Sequence, residues 1–397
     1  MAIFVALLAL IIISAIPYGT VEPWWKSAFI CVIFMICVLA IIEDSRIGAD
    51  PVLVPMLAIS ALAFVQSLST QISEDPFQSA FFALQMLALT AFLALLYRYA
   101  NTARRIRILV YTILGIAVIS AIFGILRQTT QHETGFILPL LRPNQGYAQF
   151  INKNHFAYLM EMAFGLGVGM ILGGGVKRDR LLIYVALLLP ILAGLALANS
   201  RGGILAILVQ IVTAALLFPS PSKKITPFVA IKAVLILAIV NMLGAAFWAA
   251  HSSTLEGASR SEIWRATLKM FAANPILGVG LGGYWIGITA YHEASGRLVP
   301  QEAHNEYLEL LSSGGVIGFA IGVWFVVIVV RMIRRNLFAD RGFLRAARIG
   351  AVLGLAGVAA HSLVDFGLHI MVNAIVFVTL IMIATTNKVV DLNPQEQ

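Results

Sequence analysis

The feature that most constrains this chain is a succession of apolar runs, each close to twenty residues long and separated by short polar connections. A helix rises only about 1.5 Å per residue, so about 20 mostly apolar residues are needed to cross a bilayer's hydrocarbon core. On that ruler the sequence predicts about twelve spans. They run over 2–17, 24–42, 51–68, 78–97, 106–126, 155–173, 181–198, 203–218, 228–250, 306–330, 346–363 and 369–386. With 60% hydrophobic and 12% charged residues the chain is far more apolar than a soluble domain. The expected fold is therefore all-α, a single polytopic membrane domain over 1–397. The first run has no basic stretch ahead of it and another apolar run follows at once, so it reads as a span and not as a cleaved signal.

Lysine and arginine placement sets the expected orientation. With the amino terminus inside, the inner connections carry Arg46, Arg98, Arg104, Arg105, Arg107, Lys177, Arg178, Arg180, Lys223, Lys224, Lys232, six arginines from Arg331 to Arg348, and Lys388. That is two thirds of the chain's 27 Lys and Arg, a positive-inside bias that puts both termini in the cytoplasm. The net charge of +8 is accounted for by these connections and by anionic membrane lipid, without nucleic acid as a partner. The same topology puts His132, His155, His251, His292, His304, His361 and His369 on the outer side or in the outer ends of spans. Cys31 and Cys37 are six residues apart in one apolar span and point to different sides, so they cannot pair and read as packing residues.

The long interruption, 251–305, lies outside between the ninth and tenth expected spans and is expected to carry most of any active site. Its glycines Gly278, Gly280, Gly282 and Gly283 are not a dinucleotide fingerprint, which needs a strand before and a helix after it in an α/β unit. They read as a close-packed turn. Pro275 should end a preceding amphipathic helix whose Ile263, Trp264, Leu268 and Phe271 face membrane or bundle, and Tyr284 and Trp285 suit the membrane interface.

Several motifs resemble the O-antigen ligase and O-antigen polymerase superfamily. They are SRGG at Ser200–Gly203, RSEIW at Arg260–Trp264, NPILGVGLGGYW at Asn274–Trp285 and AHNEYLELLSSGGVIG at Ala303–Gly318, flanked by FINKNHFA at Phe150–Ala157 and HSLVDF at His361–Phe366. The likeness runs in order from about residue 145 to 370. It implies a GT-C-like, metal-independent inverting glycosyltransferase of the bacterial inner membrane, with no cofactor. The implied donor is an undecaprenyl-diphosphate-linked glycan used at the periplasmic face. The acceptor would be lipid A-core or another glycan, for lipopolysaccharide or surface polysaccharide biosynthesis. Ligase and polymerase share the donor chemistry, so that choice stays open.

The residues agree with such chemistry. Breaking a sugar–diphosphate bond leaves negative charge that fixed cations must meet, and arginine offers a permanent charge on a planar fork matched to phosphate oxygens. Arg201, in the turn between the seventh and eighth spans, and Arg260, in the long loop, are the candidates. The other reading of Arg201 is a snorkelling interfacial residue. His304 can take the proton of an acceptor hydroxyl, and the resemblance implies an essential histidine in this His304-Asn305 motif. Whether it acts as base or only orients the acceptor stays open.

Around His304, the carboxylates Glu302, Glu306 and Glu309 are spaced to share a helical face, and Tyr307 follows one turn after His304. Lys153, Asn154, Glu161, Arg265, Asn305 and Tyr307 are the expected substrate-binding residues. Glu161 sits inside a span on the face of Asn154, and Arg265 neighbours Lys269 at i, i+4. Asp365 and His369 form a further i, i+4 pair. Two other readings are a polysaccharide or lipid transporter and a haem or metal protein. No repeats are evident, the polar residues gather at the outer surface and not at the midplane, and no two histidines stand at i, i+4, so both rank below the enzyme.

Overall fold

The computed structural model describes residues 1–16, 18–43, 50–130, 146–218, 260–292 and 300–387. They form helices α1 (Ala2–Ser14), α2 (Pro23–Glu43), α3 (Leu53–Gln66), α4 (Pro76–Tyr99), α5 (Ala103–Thr130), α6 (Lys153–Leu172), α7 (Leu181–Ala198) and α8 (Arg201–Leu217). After these come α9 (Arg260–Ala273), the short α10 (Tyr284–Gly287), α11 (Glu306–Asn336), α12 (Gly342–His361) and α13 (Met371–Thr385). There is no strand among the described residues, only an isolated bridge between Tyr147 and Phe150.

Among the described residues seven helices are long and apolar enough to cross a membrane, namely α2, α4, α5, α6, Arg178–Ala198, α11 and α12. Four more of the expected spans, those of α1, α3, α8 and α13, are apolar helices of 13 to 17 residues. At about 1.5 Å per residue these are shorter than a hydrocarbon core of about 30 Å. The expected span at 228–250, like 251–259 and 293–299 of the long loop, lies outside the described residues.

One seam organises the bundle. Helix α6 is buried on nearly every side, from His155 through Ala163 without interruption, and it lies against α12. A Cβ added to Gly165 would stand 2.5 Å from the backbone nitrogen of Gly354, and one on Gly169 would stand 2.1 Å from the Cα of Gly350. The two backbones therefore touch, the arrangement that small residues four apart allow when packing must replace the hydrophobic effect inside lipid. Exposed Val316, Val323, Val326 and Val330 on α11 suit contact with lipid tails.

The glycine run is a packing element. Helix α11 breaks at Gly315 (φ 62), and the turn after α9 hydrogen-bonds into the break: Val279 N to Ser312 O at 3.0 Å, Gly280 N to Ser313 O at 3.0 Å and Val316 N to Pro275 O at 2.8 Å. Gly280 has φ 102, and a Cβ there would lie 2.0 Å from Ser73 Oγ, so both conformation and space require glycine. Gln66 completes the clasp, donating to Leu277 O and Ser313 O and accepting from Leu281 N. The buried face of α9 is Ile263, Ala266, Thr267 and Met270, while Leu268, expected to face membrane or bundle, is on the outside of the protein. Tyr284 is buried with its hydroxyl 2.7 Å from Thr267 Oγ1, which corrects the interfacial reading. Trp285 is exposed.

Candidate functional site

Four helices begin around one loop. The first residues of α6, α8, α9 and α11 all lie near residues 361–366, which end α12 and carry Asp365. The local sequence starts each helix there. Asn152, Ser200 and Asn305 cap α6, α8 and α11 by accepting the backbone N–H of Asn154, of Gly203, and of both Tyr307 and Leu308, respectively. A helix N-terminus carries partial positive charge, so this meeting favours an anion.

Asp365 is the hub. Its side chain is 1% exposed, and Asn154 Nδ2 donates to its Oδ2. Arg260 Nη2 lies 3.7 Å from the same oxygen, and Arg260 Nη1 donates to Val364 O. The other oxygen accepts from Phe366 N at 2.9 Å and faces His304 Nδ1 at 3.4 Å. Burial alone would raise the Asp365 carboxyl. The hydrogen bond and charge of His304, with His155 and Arg260, outweigh it and hold the group well below the usual carboxylate range. Burial also lowers Arg260, to about 10, against the opposing pull of Asp365, so it remains cationic at neutral pH. The charge of Arg201 works in the lowering direction too, which means that the two guanidinium groups lie within electrostatic reach of each other.

His304 is held in an unusual backbone conformation, φ 49, just ahead of the capping Asn305. On its other side Ala303 is locked, its N–H donating to Glu309 Oε2 at 2.9 Å and its carbonyl accepting from Trp264 Nε1 at 3.0 Å. The imidazole packs edge-on against Phe366, with ring centroids 4.8 Å apart, and stays 31% exposed. With Nδ1 turned to the carboxylate, Nε2 is the nitrogen available to a ligand. Strained backbone of this kind is a recurring mark of functional positions.

A second cluster adjoins the first across Phe366. His369 Nδ1 lies 3.3 Å from Glu302, and its Nε2 lies 3.3 Å from Glu306 and 3.4 Å from Glu309. Burial would lower this imidazole, but the three carboxylates raise it well above the ordinary histidine value. Donor atoms of Glu302, Glu309 and His369 lie within 4.8 Å of one another, a set that a hard divalent cation could also use. His369 lies far from Glu302 and Glu309 in sequence, so residue spacing does not show this set.

The expected site residues separate accordingly. His304, Arg260 and Asn154 meet at Asp365, and Arg201 stands exposed at the start of α8 within reach of Arg260's charge. Asn305 is buried as a cap, and the Tyr307 hydroxyl donates to Ala359 O. Lys153 and Arg265 are exposed. Glu161 faces away from solvent altogether, fully buried with Oε2 2.8 Å from His361 Nδ1, so the expected phosphate or sugar contact gives way to a buried pair. Asp365 and His369 do not pair as the i, i+4 spacing suggested, because a 3-10 turn at Gly367–His369 sends them to different partners. Glu302 precedes the helix of Glu306 and Glu309, yet His369 joins all three.

Asp365 as hub, and His361 and the buried His155 beside Phe366, are not among the candidate residues that the sequence singles out. The available signal was the proximity of HSLVDF and NKNH to the other motifs in the family resemblance.

A comparison with curated proteins finds no match. Residues 183–323 match the family model described as O-Antigen ligase, a stretch that includes Arg201, Arg260 and His304 but not Asn154 or Asp365. The chain is thus similar to the O-antigen ligase family over that stretch, which is less than half of its length, and the membrane-length helices are in keeping with the likeness.

Proposed function

We propose that this protein is a membrane glycosyltransferase that moves a glycan from undecaprenyl diphosphate to an acceptor hydroxyl at the periplasmic face, in the manner of an O-antigen ligase. The observation that carries the reading is the meeting of Arg201, Arg260 and the His304–Asp365 pair at four helix N-termini. In this reaction the acceptor oxygen attacks the anomeric carbon from the side opposite the leaving group, giving inversion. The bond from that carbon to the phosphate oxygen breaks, and its electron pair leaves with the diphosphate.

Each group has a task. His304 Nε2 takes the hydroxyl proton while Asp365 holds Nδ1 and compensates the imidazolium that forms. Arg201 and Arg260, helped by the helix N-termini, meet the charge developing on the diphosphate without a metal ion. Arg260 is oriented by Asp365 and Val364 O, so one carboxylate aligns both the base and a phosphate ligand. Lys153 and Arg265 are exposed and are assigned to the outer part of the donor or acceptor path.

Purified protein in lipid should release undecaprenyl diphosphate from a synthetic lipid-linked glycan only when an acceptor is supplied. Carriage of the intact lipid-linked glycan across a vesicle membrane, with no sugar–phosphate bond broken, would favour a transporter instead. A polymerase of the same superfamily would use a second lipid-linked glycan as acceptor, whereas a ligase would use lipid A-core.

A further inference from the structure

Beneath the proposed site lies a buried ionisable pair that the reaction does not use. Glu161 and His361 are fully buried, with Oε2 and Nδ1 2.8 Å apart, and the other atoms of the pair, Glu161 Oε1 and His361 Nε2, have no hydrogen-bond partner. Leaving such atoms unpaired costs free energy, so the pair needs a reason to be there. The imidazole edge presses on the SRGG turn: a Cβ added to Gly202 would stand 2.2 Å from both Cδ2 and Nε2 of His361. Tyr158 stacks on the imidazole with centroids 4.0 Å apart and 20° between the planes, and its hydroxyl reaches Ser362 Oγ and the carbonyl of Asp365, each at 3.3 Å. Gln210 Nε2 on α8 donates to the carbonyl of Glu161 at 2.8 Å, so α6 and α8 are tied beside the pair.

We propose that Glu161 and His361 are positioning residues, which hold the first turn of α8, and with it Arg201, in register with the loop that carries Asp365. The imidazole is the spacer between the two. Glu161 orients it from α6, Gly202 meets its edge and Tyr158 transmits its position to the Asp365 loop. The glycine seam at Gly165/Gly354 and Gly169/Gly350 keeps the helices that bear the pair from moving apart. Arg201 thus depends on residues that never touch substrate. The proposal rests on the donor-binding role assigned to Arg201 above.

The test uses full-length protein in lipid nanodiscs and a synthetic undecaprenyl-diphosphate-linked glycan. Glu161→Gln keeps the side-chain volume and removes the charge. Gly202→Ala keeps the helix and drives a methyl into the imidazole. Each should lower kcat/KM for the donor about 10- to 100-fold, as misplacement of a remote catalytic group does, with acceptor KM within about twofold of wild type. Combined with Arg201→Ala, Glu161→Gln should cost little more, because the two act through one group. Full additivity with Arg201→Ala, or an equal loss in acceptor KM, would overturn the proposal.

Hydrogen exchange supplies a reading independent of activity. Amides of residues 201–205 should exchange faster in both variants while α5 is unchanged. Wild-type protein that transfers nothing would sink the glycosyltransferase reading. The positioning claim would then be judged by exchange alone, with unchanged protection of 201–205 overturning it and faster exchange confined to that turn supporting it.

Discussion

A buried carboxylate that touches a histidine, an arginine and an amide side chain aligns all three, and the cost of removing any one of them falls on the others. Arg260→Ala leaves Asp365 buried without its cation, and Arg201→Ala removes the exposed charge beside it. Each variant should lower glycan transfer about 10²- to 10³-fold while protein remains in the membrane, the scale of losing one preorganised contact to developing charge. Lysine should rescue poorly because the fork is lost. Activity within tenfold of wild type in a well-expressed variant, measured by donor turnover, would remove that arginine from the mechanism. His304→Ala should lower kcat about 10²- to 10⁴-fold with donor binding little changed, whereas a loss confined to acceptor KM would make His304 an orienting residue. His369 gives a pH prediction. Its folded-state pKa is raised by Glu302, Glu309 and Glu306 against the effect of burial, so its stabilisation is complete below about 6.5, the unfolded value, and disappears as pH rises through the folded value. Thermal melting of His369→Gln should therefore fall furthest below wild type at or just below about pH 6.5 and converge on it at alkaline pH. A gap that does not narrow as pH rises into the alkaline range would deny the imidazolium.

At the level of elements, what could be read in the chain was what local pattern determines. The helix starts at Asn152, Ser200 and Asn305 and the stop before Pro275 follow from capping and proline chemistry, and the structure has them. The glycine run could be recognised as a close-packed turn, but its insertion into the break at Gly315 joins residues far apart in sequence and leaves no local trace. The same holds for the site. His304, Arg201 and Arg260 declare themselves by residue type and motif, while Asp365 declares only a helical spacing to His369 that a 3-10 turn annuls. Glu161 looked like a polar contact because an ionisable group in a span needs a partner, and the partner, His361, is supplied by α12 across the glycine seam. That seam makes its own prediction. Gly169→Ala and Gly350→Ala would each drive a methyl into backbone, at 2.1 Å from Gly350 and 2.4 Å from Leu166 O respectively, so each should cost about 1–3 kcal/mol or more. Gly115→Ala, with nothing within 4 Å of the added carbon, should be neutral or slightly stabilising. Equal melting temperatures for the three variants would mean that the seam opens freely.

For the whole molecule, the proposed reaction asks how enough positive charge is concentrated to meet a diphosphate without a metal ion. Four helix N-termini and two arginines converge near the proposed donor position, and Asp365 offsets only part of that charge. Across Phe366 the sign reverses, with three carboxylates around His369. Under the proposed reaction the donor meets the arginines, and an acceptor beside His304 meets the carboxylates gathered at His369. This division leads to the prediction that transfer is indifferent to divalent metal: EDTA should not inhibit, and magnesium or manganese should not stimulate, because arginine already neutralises the diphosphate. Two sites are to be distinguished if the result is otherwise. Inhibition by EDTA that is reversed by magnesium and lost in His369→Gln would assign the cation to the Glu302–Glu309–His369 cluster, whose donor atoms are within 4.8 Å of one another. Inhibition that persists in that variant would put the metal on the donor's own phosphates, and the two arginines would then be orienting groups whose replacement by lysine is mild.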